Sequence, residues 1–581
     1  MITRTRTSRR RLVACLGCVF LVGARLDSVP PTTSAVWRED LRAIVNRIRV
    51  THPDAFARVS RDRFDAEVAH IERDIPKLND AQRAARVMSL VALLKDGHTW
   101  IDPVGTQFQT WFPVRMYEFT DGYFITSARK EYSELAGLRV VMVGGVAAAE
   151  AARRARTLLS ADNEFGSKSD LVALSSAPLM EALALASRGR LALRVREPGG
   201  TERDVSIAAM AGDDADSPGF AWRFRLEEMG QFIGQRSDWI AGFQHLPASA
   251  FRVVDSTRPP HLRYRSWPYS AKLDPDTWYM QVNFVQDGPD ETFAAFFRRA
   301  MRDVDSARPK RLIVDFRYNS GGDGSKVTAM IHEFIKREDD PPWRELYVLS
   351  GRKTHSAAII ALRAFVEHTH ANIVGEPAAA SYNHFGDAMA FPFPRTGLQL
   401  NVSTLRHDMA PSNDISRVLR LSESSPSYVD STNTIQIDVP ALFSSIEYFA
   451  GRDPAVDAIR SGREMRGLAN IARADGGAAA RRTYDARRTE FGAFRWWKPA
   501  REVALNDVGY EFLRAQRVVD AVDVFRLAAD LFPDSWNTWD SLGEAQRTKG
   551  DTVTALASYR RSLALNPGNT GAREAIAALS R

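Results

Sequence analysis

Strand and helix patterns alternate along residues 276–460 of the chain. Short apolar runs typical of buried strands are each followed by the apolar spacing of an amphipathic helix. This alternation predicts an α/β fold in which parallel strands form one sheet and helices cover it. The expected strands are 278–285, 311–317 and 346–349, and the expected helices are 291–304, 326–336 and 357–367.

A glycine-rich segment, YNSGGDGS from Tyr318 to Ser325, directly follows the strand 311–317. At the carboxyl edge of a parallel sheet, unhindered glycine N–H groups can hold a phosphate or an oxyanion. The segment matches neither GxxxxGK[ST] nor GxGxxG, so a phosphate has little support. A tight turn without chemistry is the alternative.

A serine, Ser356, stands where the strand 346–349 leads through a short turn into the next apolar helix. A serine at a helix start is commonly an N-cap. The functional alternative is a nucleophile, whose acyl intermediate would be held by the N–H groups of Ala357 and of Gly321 or Gly322.

Taken together, these segments resemble the tail-specific (C-terminal processing) serine peptidase family. The matching motifs are DGHT at 96–99, DFRYNSGG at 315–322, THSAA at 354–358, VGEP at 374–377, NHFGD at 383–387 and GRDP at 451–454. The resemblance covers residues 38–460 and implies a crotonase-like catalytic core that hydrolyses polypeptides. It implies no metal and no organic cofactor.

The chain departs from the lysine form of this family at the catalytic base. In the pattern G-E-x-T-x-G-K, counted from Gly375, the threonine position is Ala378 and the lysine position is Ser381. The tricorn-like branch uses a histidine from the N-terminal part instead, and His98 matches that position. A neutral imidazole suits a general base near neutral pH. We therefore expect Ser356 and His98 to act together, although about 260 residues separate them.

Each of these assignments has alternatives in the sequence. His98 could be a capping or packing residue. Other residues near the expected site that could accept a proton are weaker candidates: Lys326, Lys353 and His355. A carboxylate that orients His98 would complete a triad. The sequence does not choose among Asp96, Glu376, Glu423 and Asp430, although a structural turn contact is the stronger interpretation of Glu376.

Residues 1–24 have the pattern of an export signal. Five arginines and no acid stand in residues 1–11, an apolar stretch follows at 12–23, and small residues end the segment at Ala24. The stretch is too short to span a bilayer stably. We therefore expect export to the periplasm or outside the cell, with no integral membrane span after signal removal. A buried first helix is the alternative.

Removal of this signal would change the chemistry of the chain. The net charge would fall from +7 to +2, because five arginines and no acid leave. The basic character therefore belongs largely to the signal, and we expect no nucleic-acid partner. The two cysteines, Cys15 and Cys18, would leave as well. A mature chain without thiols has no disulfide, no cysteine nucleophile and no cysteine-type zinc site.

A chain of 581 residues is long enough for several domains. The expected order is a signal peptide at 1–24, a helical N-terminal segment at 25–105, a β-rich subdomain at 106–210, a linker or insertion at 211–275, the catalytic core at 276–465 and a repeat domain at 483–581.

Within the β-rich subdomain, apolar runs predict strands at 123–125, 138–143 and 191–195 and a helix at 146–158. The run 137–145 resembles the core of a PDZ-like module. Such a module binds an extended peptide by strand addition. A β-subdomain without a ligand is the alternative.

Near the C-terminus, six positions recur at one fixed offset along the chain. The pairs are Leu505/Trp539, Val508/Leu542, Gly509/Gly543, Ala521/Ala555, Phe525/Tyr559 and Pro533/Pro567. Their spacing resembles that of tetratricopeptide repeats, in which small residues let two helices pack closely. The resemblance implies a concave surface for a protein partner.

Three functions remain open on the sequence alone. The first is an exported serine endopeptidase with Ser356 as nucleophile and His98 as base. The second is a catalytically degenerate homologue that binds peptides or acts as a scaffold through its repeats, and the missing lysine motivates it. The third is a hydrolase of non-peptide esters or lipids.

Overall fold

The computed structural model describes residues 32–169, 174–211, 239–241, 267–408 and 434–580. The expected signal peptide, Glu423, Asp430 and most of the expected linker lie outside these residues. Among the described residues, no helix combines the length and the apolar character needed to cross a bilayer.

Three amphipathic helices open the described chain, which confirms the helical periodicity of this region: Ser34–Thr51, Arg61–Asp74 and Asp80–Ala92. Each helix is preceded by an N-cap residue whose side chain accepts a backbone N–H of the first turn. These residues are Thr33, Ser60 and Asn79. Such N-caps satisfy donors that a helix start leaves free.

The β-rich part contains a seven-stranded antiparallel sheet and a separate two-stranded pair. Its strands are Thr110–Trp111, Val114–Phe119, Gly122–Arg129, Arg139–Val143, Val146–Ala147, Arg190–Arg196, Glu202–Ala208, Met210–Ala211 and Trp239–Ala241. Its helices are Ala148–Arg156, Glu164–Ser169 and Ala177–Ala182. The predicted strands at 123–125, 138–143 and 191–195 are confirmed, and the predicted helix begins at Ala148 rather than at Val146.

The second large sheet has six strands, and five of them are parallel as the strand–helix alternation predicts. In sheet order the strands are Tyr269–Asp274, Thr277–Gln281, Arg311–Asp315, Glu345–Ser350, Asn372–Gly375 and Val439–Pro440. The covering helices are Phe293–Ala307, Val327–Ile335 and Ala357–His368, and Ser445–Phe449 and Pro454–Ser461 follow the last strand. The first strand is antiparallel to the second, and it lies inside the segment 211–275 that we expected to be a linker.

Two small sheets bring the N-terminal part against residues 384–407. Trp100–Pro103 pairs with Leu398–Val402, which in turn pairs with Met389–Phe393. His384–Gly386 pairs with Leu405–His407. Because Trp100 follows the DGHT motif directly, this pairing holds the motif beside the NHFGD segment.

Seven helices complete the described chain: Leu468–Asp475, Gly477–Phe491, Glu502–Arg514, Val518–Leu531, Trp536–Lys549, Thr552–Leu565 and Thr570–Leu579. The helix starts at 502, 518 and 536 recur at 536, 552 and 570, which is the offset found in the sequence. A Cβ on Gly509 would lie 2.4 Å from the Phe525 ring, and one on Gly543 would lie 2.9 Å from the Tyr559 ring. Glycine at these positions is therefore what lets paired helices pack closely.

Candidate active site

Ser356 has a backbone conformation that serine rarely adopts. Its φ is 55° and its ψ is −127°, between the strand Glu345–Ser350 and the helix Ala357–His368. An N-cap has an extended backbone and a side chain that accepts a helix N–H. Ser356 has neither, since its side chain makes no cap hydrogen bond. The N-cap interpretation of this serine is therefore wrong, and the strand–turn–helix geometry resembles the turn on which hydrolases expose a nucleophile.

The loop before Ser356 is held by hydrogen bonds that keep this strained conformation in place. Thr354 Oγ1 donates to Phe316 O at 2.8 Å and accepts the Gly351 N–H at 3.0 Å. The His355 N–H donates to Asn319 O at 2.9 Å. A strained residue costs about 1–3 kcal/mol and persists only where its surroundings fix it. Here the fixed surroundings are the glycine-rich segment itself.

The two glycines of that segment lie against the serine and play different parts. A Cβ on Gly321 would lie 2.5 Å from Ser356 Cβ and 3.0 Å from Ser356 Oγ, so only glycine fits. The Gly321 N–H already donates to Asn319 Oδ1 at 2.8 Å, which turns it away from an oxyanion role. Among the described residues, the N–H groups of Gly322 and Ala357 have no hydrogen-bond acceptor.

His98 is buried in a row of four stacked imidazoles, which we call the imidazole row. Its ring centroid lies 4.2 Å from that of His355 and 5.8 Å from that of His384. His384 in turn lies 5.0 Å from His407. The fold thus brings His98 onto the residue that precedes Ser356. Within the described part of the chain, no hydrogen bond to Ser356 Oγ is formed.

His384 is held neutral inside this row. Its Nδ1 lies 3.2 Å from Ser381 O and 3.3 Å from Tyr382 O, so this nitrogen carries the proton. Burial, and next the neighbouring charges of His98 and His407, lower its pKa to about 3. The serine at the family's lysine position, Ser381, is buried next to it.

Asp96 orients the backbone of His98 from a buried network. Its Oδ1 accepts the His98 N–H at 2.9 Å, and its Oδ2 accepts His52 Nε2–H at 3.0 Å and Ser403 Oγ–H at 2.6 Å. His52 donates there because its Nδ1 accepts the Asp54 N–H. Burial alone would raise the pKa of Asp96, but His52, His98 and Ser403 together hold it below its usual value.

The other candidates from the sequence have structural partners. Glu376 binds Arg352 through both carboxylate oxygens, at 2.9 and 3.0 Å, as its interpretation as a structural contact predicts. Lys326 Nζ donates to Asp287 Oδ2 at 2.7 Å, which removes it as a base candidate. The Arg352 guanidinium lies over the Tyr117 ring, and Lys353 lies in the same loop.

The GRDP motif closes the edge of the sheet next to the site. Arg317 is buried between Asp315 and Asp453, with Nη2 2.6 Å from Asp315 Oδ2 and 2.7 Å from Asp453 Oδ2. Burial would lower the pKa of Arg317, but the two carboxylates raise it well above its ordinary value. Two carboxylates thus compensate a buried cation, and removal of either would leave a buried charge without its full partner set.

Three buried side chains of the site escaped the sequence analysis: His52, Ser403 and Asp162. His52 and Ser403 lie 44 and 307 residues from Asp96, their shared partner. Asp162 Oδ1 accepts the Gly97 N–H at 3.3 Å across 65 residues. No local pattern marks such contacts. Within the described residues, no group of three or more His, Cys, Asp or Glu side chains is arranged to hold a metal ion.

Comparison with known proteins gives neighbours in structure and a short match in sequence. No protein-family model matches the chain. One curated relative, human protein O-mannosyl-transferase TMTC1, is 39% identical over 70 residues, which are 12% of this chain. The chain spans only 8% of the length of that relative.

The structure neighbours include CPAF, the tricorn protease and C-terminal processing proteases. Mature CPAF complexed with lactacystin is 13% identical with a TM-score of 0.48, covering 74% of this chain and 98% of that one. The tricorn protease is 13% identical with a TM-score of 0.32, covering 74% and 37%. The photosystem II D1 C-terminal processing protease is 14% identical with a TM-score of 0.26, covering 68% and 99%.

Proposed function

We propose that this chain is a serine-type peptidase of the tail-specific family, in its histidine-base branch, and that Ser356 is its nucleophile. The observation that carries the proposal is the backbone of Ser356. A φ of 55° on a serine that caps nothing has no structural benefit, and this serine stands in a tight turn between a strand and a helix. Strain of this kind is commonly stored at functional sites.

The hydroxyl needs a proton acceptor when it attacks a peptide carbonyl. His98 takes this proton in the proposal and returns it to the leaving amine. Its ring packs 4.2 Å from that of His355, one residue from Ser356, which supports the assignment. Catalytic hydrogen bonds are often long before substrate binds and shorten in the complex. The absence of a bond to Ser356 Oγ in the described residues is therefore compatible with this role.

The N–H groups of Gly322 and Ala357 form the oxyanion hole in this proposal. Both lack an acceptor among the described residues, and Ala357 is the first residue of its helix. A helix start favours negative charge, so the developing oxyanion would be stabilised there. Gly321 serves instead by leaving room for Ser356, since a side chain at 321 would collide with it.

The remaining parts of the proposal concern substrate, partner and location. The substrate is a polypeptide, with the β-rich part acting as a PDZ-like peptide binder. The helices after residue 500 form tetratricopeptide-like repeats that bind a partner protein. Residues 1–24 direct the chain out of the cytoplasm, to the periplasm or beyond.

Covalent labelling of the serine with a fluorophosphonate tests the nucleophile. We expect the wild type to be labelled and Ser356→Ala to remain unlabelled, with Ser320→Ala, a neighbouring serine in the glycine-rich segment, labelled like the wild type. His98→Gln should slow labelling at least about a hundredfold, the usual contribution of a general base. Equal labelling of wild type and Ser356→Ala would refute the proposal.

Two further comparisons separate the alternatives. A wild type that is folded yet never labelled would favour the peptide-binding scaffold, for which the missing lysine is the motivation. Turnover of an unfolded protein substrate beside short-chain esters would distinguish a peptidase from an esterase. His355→Gln, measured beside His98→Gln, tells which imidazole of the stacked pair accepts the proton.

A further inference from the structure

The turn that carries His98, residues 95–98, is held by two carboxylates and one guanidinium. We call it the His98 turn. Asp96 Oδ1 accepts the His98 N–H, and Asp162 Oδ1 accepts the Gly97 N–H. Arg58 Nη1 donates to Lys95 O and, at 3.0 Å, to Asp162 Oδ1. Consecutive amides are thus fixed from opposite segments of the chain, and the position of the His98 backbone depends on both acids.

The second oxygen of Asp162 has no structural use that the described residues reveal. Asp162 is 1% exposed, and its Oδ2 is buried without a hydrogen-bond partner among the described residues. A buried carboxylate oxygen without a partner is costly, so it calls for an explanation. Oδ1 alone makes the contacts with Arg58 and with the Gly97 N–H. These two contacts therefore do not explain why the second oxygen, Oδ2, is buried.

Asp162 Oδ2 and the stacked imidazoles lie on two sides of Gly97, which has no side chain to separate them. The point where a Gly97 Cβ would stand lies 3.4 Å from Asp162 Oδ2 and 2.7 Å from His355 Nε2. Glycine at 97 therefore leaves the acid and the imidazole on two sides of one small gap. The His355 ring in turn stacks on His98.

The pKa of Asp162 depends on its burial and on the charged groups around it. Burial, and less strongly the nearby charge of Asp96, raise the pKa of Asp162 to about 6, against the opposing effects of Arg58 and the Gly97 N–H. The groups that face it are Arg58 from the segment between the first two helices, Asp96 and Gly97 from the His98 turn, and His355 from the serine loop, which is the loop just before Ser356.

We propose that Asp162 is a positioning residue of this site, which fixes the His98 turn through Gly97 and sets the protonation of the His98–His355 pair through its second oxygen. The inference rests on the proposed function and deepens it. An anionic carboxylate within a few ångströms favours the protonated form of an imidazole. It would therefore stabilise the imidazolium that forms when the base takes the proton of Ser356.

Histidine titration by NMR tests this without relying on activity. In protein labelled with ¹³C-histidine, His355→Gln and His98→Gln identify the two signals. We expect Asp162→Asn to lower the titration midpoint of at least one of them by about half a pH unit or more. Asp40→Asn is the matched control, because Asp40 is also buried and paired with an arginine, Arg395, and its other side-chain partner is Thr396 rather than an imidazole. Midpoints unchanged by Asp162→Asn would overturn the inference.

A second variant covers the case in which Asp162→Asn does not fold, since it leaves Arg58 buried beside a neutral amide. Arg58→Met combined with Asp162→Asn removes both charges, a change that buried pairs often tolerate. Loss of the Arg58 cation raises the midpoint by itself, so the double variant is compared with Arg58→Met alone, and the fall in midpoint is expected between these two proteins. Fluorophosphonate labelling of the wild type is followed in parallel: if labelling fails while the midpoints shift, the proposed function fails and the role of Asp162 stands.

The pH profile of labelling supplies the functional readout. Loss of the carboxylate lowers the midpoint of the base, so the acid limb of the profile should move to lower pH in the folded variant. If the wild type is labelled and the acid limb of the variant's profile coincides with that of the wild type, Asp162 is only a structural partner of Arg58.

Discussion

At the scale of single residues, Ser356 has a strained backbone conformation that lowers the stability of the folded protein. The backbone near φ 55° and ψ −127° is costly for any side chain with a Cβ and is accessible to glycine. Neither the hydroxyl nor the methylene of the serine relieves that cost. The strain at this position therefore costs stability, and the proposed role of Ser356 as a nucleophile would account for that cost.

We predict that Ser356→Gly is more stable than Ser356→Ala. Glycine relieves about 1–3 kcal/mol of backbone strain and loses about 0.4–1 kcal/mol through greater freedom of the unfolded chain. The net gain over alanine should be about 1 kcal/mol, measured by urea unfolding, while both variants lack labelling. A glycine variant less stable than the alanine variant would show that Ser356 is not strained in solution.

The neutral His384 makes the stability of the folded protein depend on pH. Its pKa is about 3 when folded, whereas an exposed histidine titrates near 6.5. The unfolded chain therefore binds a proton that the folded chain does not, and stability falls as the pH drops from about 6.5 towards 3. This one group contributes a slope of up to about 1.4 kcal/mol per pH unit.

We predict that His384→Asn flattens this slope. Asparagine retains an amide N–H near the position of Nδ1, which donates towards Ser381 O and Tyr382 O, but it cannot titrate. Urea unfolding of both proteins at several pH values between 4 and 7 measures the difference. His70→Asn, at an exposed position in the second helix, should keep the slope of the wild type. Parallel curves for all three proteins would contradict the prediction.

The sequence analysis singled out candidates that lie in short motifs and missed the partners that the fold brings to them from elsewhere in the chain. Ser356, His98 and the glycines stand in segments with a recognisable order. Asp162 and His52 are isolated polar residues in helical or irregular stretches. Their importance arises only when a turn 44 or 65 residues away folds against them. Distance along the chain hides such partners, since nothing local distinguishes them from surface residues.

At the scale of elements, the short strands Asn372–Gly375 and Val439–Pro440 were not expected. The other three parallel strands were predictable, because each is a short apolar run next to an amphipathic helix. The pairing of Trp100–Pro103 with Leu398–Val402 was not, because so short a strand carries no mark of a partner that lies far along the chain. This pairing nevertheless positions the His98 turn. Loop geometry was hidden for a related reason. The Gly321 N–H donates to Asn319 within its own loop, a contact that the sequence does not reveal and on which the proposed preference for Gly322 depends.

A matched pair of glycine substitutions tests the close approach of two loops. Gly321→Ala adds a Cβ 2.5 Å from Ser356 Cβ at a φ of 116°. Gly200→Ala adds one at a φ of 90° with nothing within 4 Å. Both should lose stability through backbone strain, by about 1 kcal/mol or more. Labelling of Ser356 should fall at least tenfold only in Gly321→Ala. Equal labelling in both variants would mean that the serine loop does not rest on Gly321.

At the scale of the whole molecule, the segment that leads into the C-terminal helices packs against the parallel sheet. Trp497 is 9% exposed and packs in one cluster with Val374 and Val439 of the parallel sheet. Asn372 Oδ1, at the start of a strand, accepts the Gly467 N–H and Asn470 Nδ2–H, both at 2.8 Å. The region between the sheet and the repeats is therefore a shared core.

We predict that Trp497→Ala destabilises the protein by about 3–5 kcal/mol, the usual cost of removing a buried aromatic side chain. The control is Trp536→Ala in the repeats, where the side chain is 40% exposed and the cost should be below about 1 kcal/mol. Thermal unfolding measures both. We expect Trp497→Ala to lower the unfolding temperature of the sheet and of the helices together. Loss of stability in the helices alone would contradict a shared core.

The His98 turn is held by Arg58 from the segment between the first two helices, by Asp162 from the β-rich part and by Ser403, which lies 307 residues beyond Asp96. Synthesis must therefore pass residue 403 before every contact of this turn can form. If the proposed function is correct, a nascent or truncated copy that stops short of this residue would be inert towards its neighbours. The proposed peptidase would then gain its activity only as its tertiary contacts form, which limits damage to the chain during its own synthesis.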